Sequence, residues 1–440
     1  MNNITKTTLF YSFVKFYFSF IFRRWFSKIE VNGDVRIPED EPVIFAPNHQ
    51  NALFDALALL STTPAPVAYW VRGDLFKNKW VAKLFYALKL MPAYRKRNGL
   101  SNLKKNDESF ANSLKILTNK QYLCLMPEGG QIEERKLHPL VKGIFRNAFS
   151  AQDLLGEDDW VKIIPVGIDY GDYDKSGRHL IVNYGKPISI KDYYDEYKDN
   201  PSVTINQIRT DLTNRIKSLM LDIQSEKYYS TIYTASYVYN YPMLDILRLS
   251  DNATNRLIAR KKIVEILELA EIENDPLLEK LTNECKLWNK RYKRTDLCAQ
   301  TQEWDSWDLN LIIQILYLII TIPLFLYSVI FNLIPYILCK LIGKKVRGTG
   351  FEATIKLGIA GLLFPIVYLI TSIVFAFNYS PDTMTSFVFT LSLPISFLFF
   401  IRYTWKFTEV KERLRNIFRK PTEGNRIISI MQQIVSKYKK

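Results

Sequence analysis

Hydrophobic and polar positions follow three different patterns along the 440-residue chain. Between residues 29 and 195, short apolar runs such as PVIFAP, PVAYWVRG and VKIIPVGIDY are separated by amphipathic stretches. This pattern predicts an α/β domain in which strands alternate with helices. Residues 196–305 carry Leu and Ile at three-to-four spacing among Lys and Glu, which predicts a helical region, either packed on the α/β domain or forming a separate bundle.

Beyond residue 306 the chain is strongly apolar. It contains three uncharged stretches, Leu309 to Cys339, Leu357 to Phe377 and Ser386 to Ile401. Each is long enough to enter or span a bilayer, which takes about 20 apolar residues for a helix. Buried helices of a soluble protein are the alternative. Pro323 near the middle of the first stretch predicts a break and favours a tight or re-entrant hairpin there.

Basic residues orient these stretches. One cluster follows the first stretch and another follows the third, whereas NYSPDTMT, between the second and third, carries only Asp382. The positive-inside rule places both basic clusters in the cytoplasm. We expect an integral membrane protein with its α/β domain on the cytoplasmic face, which requires the first stretch to enter and leave the membrane on the same side. A single long helix is the alternative and would place the α/β domain across the membrane from the basic clusters. The clusters consist of Lys340, Lys344, Lys345, Arg347 and Lys356, and of Arg402, Lys406, Lys411, Arg413 and Arg415.

The N-terminal residues 8–26 are crowded with phenylalanine, interrupted by Lys15 and closed by Arg23 and Arg24. A secretory signal would place its charges first and end at a small-residue cleavage site, which this segment lacks. The pattern is typical of an aromatic helix lying in the membrane interface. A helix packed on the α/β domain is the alternative. The expected organisation is an interface helix at 1–28, the α/β domain at 29–195, the helical region at 196–305, transmembrane segments at 306–403 and a basic cytoplasmic tail at 404–440.

Composition narrows the chemistry. The chain has a net charge of +15, and its basic residues lie beside long apolar segments. This arrangement favours binding to anionic lipid over binding to nucleic acid, and no nucleic-acid-binding motif accompanies it. The cysteines have no metal-ligand or disulfide spacing, so we interpret them as reduced and structural. Any reaction that needs an imidazole must use one of three histidines. The cysteines are Cys124, Cys285, Cys298 and Cys339, and the histidines are His49, His138 and His179.

His49 and Asp55 form the candidate catalytic pair. A neutral histidine can take a proton from a hydroxyl group if a carboxylate fixes its tautomer. PVIFAPNHQNALFDAL predicts a strand, a turn and then a helix that carries Asp55. On one continuous helix the two side chains would point about 240° apart, so the pair requires a loop between them, and Asn48–Asn51 can supply it. By spacing alone, a histidine that caps a helix is the alternative.

Four blocks in order make the chain similar to the glycerolipid acyltransferase superfamily over about residues 29–190. VNGDVRIPEDEPVIFAPNHQNALFD resembles the entry strand and His-Asp motif, and MPAYRKR resembles the second block. LMPEGGQIEERKLHPLVKGIFRNAF resembles the third block with its helix, and IIPVGI resembles the fourth. The resemblance implies a mixed sheet flanked by helices and a membrane-bound O-acyltransferase.

The resemblance also implies roles for individual residues. His49 would act as general base on the acceptor hydroxyl, and Asp55 would orient its imidazole. Arg95 and Arg97 would bind the acceptor's phosphate, since a guanidinium pairs bidentately with phosphate oxygens; solvated surface arginines are the alternative. Glu128 and Gly129 would lie at the acceptor site, where a simple Gly-Gly turn is the alternative. We interpret His138 and His179 as structural.

Positive charge close to the acceptor site could also come from the helix of the third block. Lys142 and Arg146 lie one turn apart on that helix and could add positive potential to the same cleft; solvated surface charges are the alternative. Pro165 is expected to shape the mouth of the cleft, with a strand-end proline as the alternative, and we assign it no chemical role.

The implied reaction transfers an acyl group from acyl-CoA or acyl carrier protein to glycerol 3-phosphate or 1-acylglycerol 3-phosphate, with no metal and no tightly bound cofactor. Two departures bear on the acceptor. Five residues separate His49 from Asp55 where many members have four, and Gly130 and Gln131 stand where Thr-Arg or Thr-Ser often follows Glu-Gly. A lyso-aminolipid acceptor and a non-catalytic lipid-binding scaffold are therefore the alternatives.

Overall fold

The computed structural model describes residues 4–33, 40–94, 106–291, 307–347, 350–379, 382–419 and 422–438. The chain divides into two compact units. Unit 1 comprises Met1–Tyr173, Arg178–Met220 and Gly348–Thr354, and unit 2 comprises Asp174–Gly177, Leu221–Arg347 and Ile355–Lys440.

Unit 1 is built around a mixed sheet of eight strands, as far as the described residues show. Seven strands follow the order β1-β7-β6-β2-β5-β3-β4, and β8 pairs with β6. Both β7 and β8 run antiparallel to β6, whereas the other neighbours are parallel. The strands are β1 (Lys28–Asn32), β2 (Val43–Pro47), β3 (Val67–Arg72), β4 (Leu90–Ala93), β5 (Tyr122–Cys124), β6 (Lys162–Tyr170), β7 (His179–Tyr184) and β8 (Ile188–Ser189).

The centre of the sheet explains the uninterrupted apolar runs of the sequence. Every residue of β2 and β5 is buried, and so is β6 apart from Lys162. Strands covered on both faces need apolar side chains at every position, not only at alternate ones. Because β2, β5 and β6 are parallel, their carboxyl ends meet at one edge of the sheet. The loops that follow β2 and β5 start from this edge.

Helices cover the sheet of unit 1. Side chains of several of these helices join the strands in one apolar core. The helices are α1 (Leu9–Trp25), α2 (Ala52–Thr62), α3 (Lys79–Ala87), α4 (Asn106–Thr118), α5 (Gly143–Leu155), α6 (Lys191–Asp199) and α7 (Pro201–Leu219). The predicted fold class, a mixed sheet flanked by helices, is confirmed.

The N-terminal helix α1 packs on α2 through one face and exposes the other. Phe22 is fully buried and meets Phe54 of α2 edge-on, with ring centroids 5.3 Å apart. The Lys15 ammonium donates to three carbonyls of the loop just after α2, those of Thr63, Pro64 and Ala65 at 2.9, 2.7 and 2.7 Å. Burial lowers the pKa of Lys15 to about 8. Helix α1 thus packs on the α/β domain, which was one of the two interpretations of the sequence. Its opposite face stays exposed.

Unit 2 is helical throughout its described secondary structure. The shorter helices of unit 2 are α8 (Tyr229–Val238), α9 (Asn240–Leu247), α10 (Ala253–Ile272), α11 (Leu277–Arg291), α12 (Leu309–Ile320) and α16 (Thr422–Tyr438). The C-terminal helix α16 packs on α8, α10 and α11. The longer helices of unit 2 are α13 (Ile322–Lys345), α14 (Glu352–Asn378) and α15 (Thr383–Arg419).

The three longer helices are long and apolar enough to cross a membrane. Most of their apolar side chains are exposed, as expected for helices that face lipid. The first predicted stretch is interrupted where Pro323 indicated, since α12 ends at Ile320 and α13 begins at Ile322. The boundary expected at residue 403 falls inside α15, which continues as one helix to Arg419.

Candidate active site

The site starts at the loop that follows β2. The amide N–H of Asn48 donates to the Val166 carbonyl on β6 at 3.2 Å. The Asn48 side chain then bridges Ile168, accepting from its N–H at 2.6 Å and donating to its carbonyl at 3.1 Å. The buried Asn48 side chain therefore satisfies the backbone N–H and carbonyl of Ile168 on β6, as a neighbouring strand would, and so fixes the point at which His49 leaves the sheet.

His49 and Asp55 are brought together. His49 Nδ1 lies 2.9 Å from Asp55 Oδ2. The carboxylate is fully buried, whereas 15% of the histidine side chain is accessible to solvent. An Nδ1–H that donates to the carboxylate leaves Nε2 as the unprotonated nitrogen. This is the arrangement that a histidine base requires.

The loop predicted between the two residues exists, and it ends where α2 begins. Asp55 sits in the first turn of α2, so its carboxylate points back at the loop. Asp55 Oδ2 also accepts the amide N–H groups of Gln50 and Asn51 at 2.9 and 2.8 Å. Ala52, at the turn into the helix, has a left-handed backbone with φ of 43°. The five-residue spacing thus lets one carboxylate hold both the imidazole and the loop that carries it.

Tyr170, at the end of β6, completes the set of donors to Asp55. Its hydroxyl donates to Oδ1 at 2.7 Å, on the oxygen that His49 does not use. Burial raises the pKa of Tyr170 well above its usual value, and the nearby Asp55 charge adds to this effect. A permanent hydroxyl donor stabilises a buried carboxylate that would otherwise be poorly solvated.

Glu128 holds the main chain of the histidine. Its Oε1 accepts the His49 amide N–H at 2.6 Å, and its Oε2 accepts the His138 amide N–H at 2.9 Å. Burial raises the pKa of Glu128 to about 7, against the lowering effect of these two donors. Glu128 therefore lies beside His49, and both of its oxygens are engaged by backbone amides.

Gly129 follows in a turn that only glycine adopts easily. Its φ is +65°, and a β-carbon would lie 3.1 Å from the Val141 side chain. Val141 in turn donates its N–H to the Pro127 carbonyl at 2.7 Å, which closes the third-block loop on itself. Lys142 and Arg146, at the start of α5, have exposed side chains. Arg95 and Arg97 lie outside the described residues.

A buried ion pair that the sequence interpretation missed supports the same loop. Arg135 Nη1 lies 2.7 Å from Asp169 Oδ1, and each side chain is 1% exposed. Arg135 also donates to the Tyr170 carbonyl, and its guanidinium lies over the Tyr173 ring at 4.4 Å. Asp169 and Tyr170 directly follow IIPVGI, and Arg135 lies within the third block, so proximity to the blocks was the available signal.

Tyr173 connects this ion pair to the loop that carries His49. Its hydroxyl donates to Gln50 Oε1 at 2.7 Å, and its carbonyl accepts from Asn51 Nδ2 at 3.0 Å. The two residues between His49 and the first residue of α2 are therefore held through their side chains as well as through their amides. The loop has little freedom to move away from Asp55.

The other histidines are placed elsewhere. His179 begins β7, in register with Lys28 on β1. His138 lies in the third-block loop with its Nε2 3.7 Å from Glu134 Oε2, so it has a carboxylate neighbour that the sequence interpretation had not identified. That distance is longer than a hydrogen bond, and Glu134 is about half exposed.

Comparisons with known proteins find acyltransferases among the proteins that resemble this chain. Residues 28–169 match the Acyltransferase family. Over 300 residues the chain is 23% identical to glycerol-3-phosphate O-acyltransferase 2 of Saccharomyces cerevisiae, a match that covers 61% of this chain but only 38% of that protein. Among solved structures, the 1-acyl-sn-glycerophosphate (LPA) acyltransferase PlsC of Thermotoga maritima matches with 18% identity and a TM-score of 0.35, over 47% of this chain and 78% of that chain. The segment from residue 28 to residue 169 is therefore similar to the acyltransferase domains of that family.

Proposed function

We propose that the protein is a membrane-bound O-acyltransferase that transfers a fatty acyl group from a thioester donor to glycerol 3-phosphate or 1-acylglycerol 3-phosphate. The observation that carries this proposal is the buried Asp55 carboxylate on Nδ1 of His49, 2.9 Å away. The name of the yeast relative, a glycerol-3-phosphate O-acyltransferase, supports the phosphorylated acceptor. The donor is acyl-CoA or acyl carrier protein, and the reaction needs no resident cofactor.

In the proposed reaction His49 Nε2 takes the proton of the acceptor hydroxyl. The hydroxyl oxygen attacks the thioester carbonyl, a C–O bond forms, and the C–S bond of the donor breaks. The imidazolium returns its proton to the departing thiolate, so no acyl-enzyme forms. Asp55 stabilises the transient imidazolium and keeps the tautomer that leaves Nε2 free.

Phosphate binding is assigned to Arg95 and Arg97, with a contribution from Lys142. The basis is the resemblance of MPAYRKR to the second family block and the bidentate match between guanidinium and phosphate. We expect Arg95→Ala to raise KM for the phosphorylated acceptor much more than KM for the donor. A rise in donor KM alone would rule out the phosphate role.

The proposed location is a membrane with the acyltransferase domain on its cytoplasmic side. Three helices of suitable length and composition support membrane insertion. The sidedness rests on the basic residues that follow the first and third apolar stretches. Reporter fusions at the N-terminus, after Lys345, after Tyr379 and after Arg419 test it. An N-terminal reporter on the opposite side of the membrane from the reporter after Lys345 would contradict the cytoplasmic position of the domain. A cytoplasmic reporter after Tyr379 would contradict the proposed orientation.

The decisive experiment incubates membranes that contain the full chain with a panel of acyl donors and acceptors, followed by mass spectrometry of the lipid products. Wild type, His49→Ala and His179→Ala are compared at equal expression. We expect product from wild type and His179→Ala and none above background from His49→Ala. Equal turnover by His49→Ala would eliminate the general-base assignment.

The same panel separates the alternatives. Product only from a lyso-aminolipid would support the proposed acyl transfer but show that the acceptor is a lyso-aminolipid. The presence of Gly130 and Gln131 in the third block, in place of the usual residues, is the observation in favour of this alternative. No product from any donor and acceptor pair would favour the non-catalytic lipid-binding scaffold.

A further inference from the structure

Helix α3 of unit 1 exposes apolar side chains that the proposed reaction does not use. Trp80 is 80% exposed and Leu84, one turn later, is 44% exposed; Leu75 in the preceding turn is 49% exposed. No residue of α3 is buried. Large apolar side chains in such a group are unusual on a surface that faces only water. The α3 surface is defined here as Leu75, Lys77, Lys79, Trp80, Lys83 and Leu84.

The helix that carries this surface is anchored in place. The Asn78 side chain caps its start, accepting the N–H groups of Trp80 and Val81 at 2.8 and 3.3 Å. On the opposite side, the Phe76 ring meets the rings of Phe85 and Tyr86 edge-on at 5.2 and 5.5 Å. Because the inner side of α3 is fixed by these contacts, its outer side is presented in one orientation.

The charge of this surface has one sign. Lys77, Lys79 and Lys83 are exposed, and the sequence from residue 75 to residue 106 contains no Asp or Glu. Asp74, just before it, lies 2.7 Å from Arg72. Lysine is depleted at protein–protein interfaces, whereas tryptophan and lysine together are typical of the boundary between membrane and water. The chemistry therefore favours an anionic lipid surface over a protein partner.

The α3 surface is also linked to a second exposed apolar face. Just beyond α3, the buried Lys89 ammonium donates to the carbonyls of Ile4 and Thr5 at 2.7 and 3.1 Å. This contact ties the end of α3 to the residues that lead into α1. Phe13 and Phe16 of α1 are 67% and 71% exposed. Helix α1 thus offers a second exposed apolar face in the same unit.

We propose that the α3 surface inserts into the headgroup region of an anionic bilayer and holds the acyltransferase domain against the membrane, independently of the apolar helices of unit 2. Trp80 and Leu84 enter the boundary between headgroups and acyl chains, and the three lysines contact lipid phosphates. The inference rests on the proposed membrane location but requires no turnover.

The test measures lipid contact directly in the full chain. Leu84→Cys is made in a Cys298→Ala background, labelled with a bimane fluorophore and reconstituted in vesicles of brominated phosphatidylcholine with phosphatidylglycerol. The matched control is Leu154→Cys on α5 of the same unit, an exposed leucine at 64%. The cysteines at 124, 285 and 339 are buried and can remain.

We expect brominated lipid to quench the label at position 84 at least about twofold more than the label at position 154. Replacing Lys77, Lys79 and Lys83 together by Gln should remove most of this difference. Equal quenching at the two positions would overturn the proposal, as would a label at 84 that is shielded from water but not quenched by lipid, since that would indicate a protein partner. Trp80→Cys gives the same readout if Leu84→Cys does not fold.

Failure of this proposal can be told apart from failure of the proposed function. The fluorescence measurement does not depend on His49 or on any acceptor, so an inactive protein can still show lipid contact. Conversely, a catalytically active chain with no lipid quenching at position 84 would overturn only the membrane contact.

Discussion

Asp55 makes four hydrogen bonds in the candidate site, and only one of them involves His49. A hydrogen bond to a charged group contributes about 1.5–3 kcal/mol. We expect Tyr170→Phe to lower kcat about tenfold, because the carboxylate keeps three donors. Donor and acceptor KM should change little, since the Tyr170 side chain is fully buried and its hydroxyl donates to Asp55. Steady-state kinetics with the acceptor identified by the panel measures this.

A tyrosine with a hydroxyl bonded elsewhere provides the control for Tyr170→Phe. Tyr184 on β7 is buried in the same unit, and its hydroxyl lies 2.7 Å from Thr62 Oγ1. Tyr184→Phe should keep kcat within about twofold of wild type. If both variants lose activity equally, the loss reflects general packing, and Tyr170 has no specific role in orienting Asp55.

Glu128 predicts a pH-dependent stability. Its pKa is raised from 4.5 to about 7 by burial, so the folded protein binds this proton more tightly than the unfolded chain. The contribution is fully present below about pH 4.5 and is lost as the pH rises through 7. It amounts to about 3 kcal/mol at most. Thermal unfolding in detergent between pH 5 and 8 should therefore show a Tm that falls with rising pH.

Glu128→Gln should remove this part of the pH dependence and also lower kcat. The amide offers one acceptor oxygen, and its NH2 group would face one of the two backbone N–H groups that now donate to the carboxylate. Glu157→Gln, at an exposed position, is the control and should leave both quantities unchanged. An unchanged pH slope in Glu128→Gln would show that another group produces it.

At the scale of residues, the sequence was sufficient to predict the His49–Asp55 pair but not the residues that surround it. The strand, turn and helix around His49 could be predicted from the apolar run and from Pro47 to Asn51. The donors to Asp55 from β6 could not, because Tyr170 lies 115 positions away and reaches the carboxylate only through the pairing of β2 with β6. The Arg135–Asp169 pair was missed for the same reason.

At the scale of elements, α1 shows what a pattern alone leaves open. The aromatic run predicted a helix over residues 8–26, and the structure has one from Leu9 to Trp25. Lys15 looked like an interruption of an apolar helix. In the folded chain its ammonium binds three backbone carbonyls of the loop that directly follows α2, and a cation close to the carboxyl end of a helix is favourable. Only knowledge of the neighbouring helix reveals that role.

Lys15→Met tests this contact between helices. The methionine keeps the apolar stem and removes the three hydrogen bonds to the loop that follows α2, so we expect a loss of about 1–3 kcal/mol in the free energy of unfolding. Because α2 carries Asp55, kcat should fall as well. Lys6→Met, which changes an exposed lysine just before α1, is the control. Thermal unfolding and the acyltransfer assay measure the two effects, and a Tm equal to that of Lys6→Met would contradict the capping role.

At the scale of the whole chain, the order of the segments could be predicted from the sequence, but their division into two compact units could not. Apolar run length predicted the three long helices of unit 2. The expected boundary at residue 195 differs from that of unit 1, which extends to Met220, because α7 adds Ile205, Ile208, Leu212 and Ile216 to the core of the sheet domain. Such contacts depend on which faces meet in three dimensions, and periodicity within one segment does not contain that information.

The C-terminal segment illustrates the same limit. Residues 404–440 were expected to form a basic cytoplasmic tail because of their charge. Within unit 2, however, α16 has an apolar face that includes the fully buried Ile427, Met431 and Ile434. Its ends are held by ion pairs, with Lys437 Nζ 2.8 Å from Asp275 and Glu423 2.8 Å from Arg291. The last helix of the chain is thus part of the fold of unit 2.

Adjacent positions on α16 give the sharpest test of this packing. Met431 is fully buried and Gln432 is exposed, so Met431→Lys and Gln432→Lys add the same charge one residue apart. We expect Met431→Lys to destabilise unit 2 by at least about 3 kcal/mol, because it removes a buried apolar side chain and places an unpaired charge among α8, α10 and α11. Gln432→Lys should be neutral within about 0.5 kcal/mol. Limited proteolysis of the full chain should then cut α16 and its neighbouring helices in Met431→Lys much faster than in Gln432→Lys, and equal cleavage rates would mean that the helix does not pack in this way.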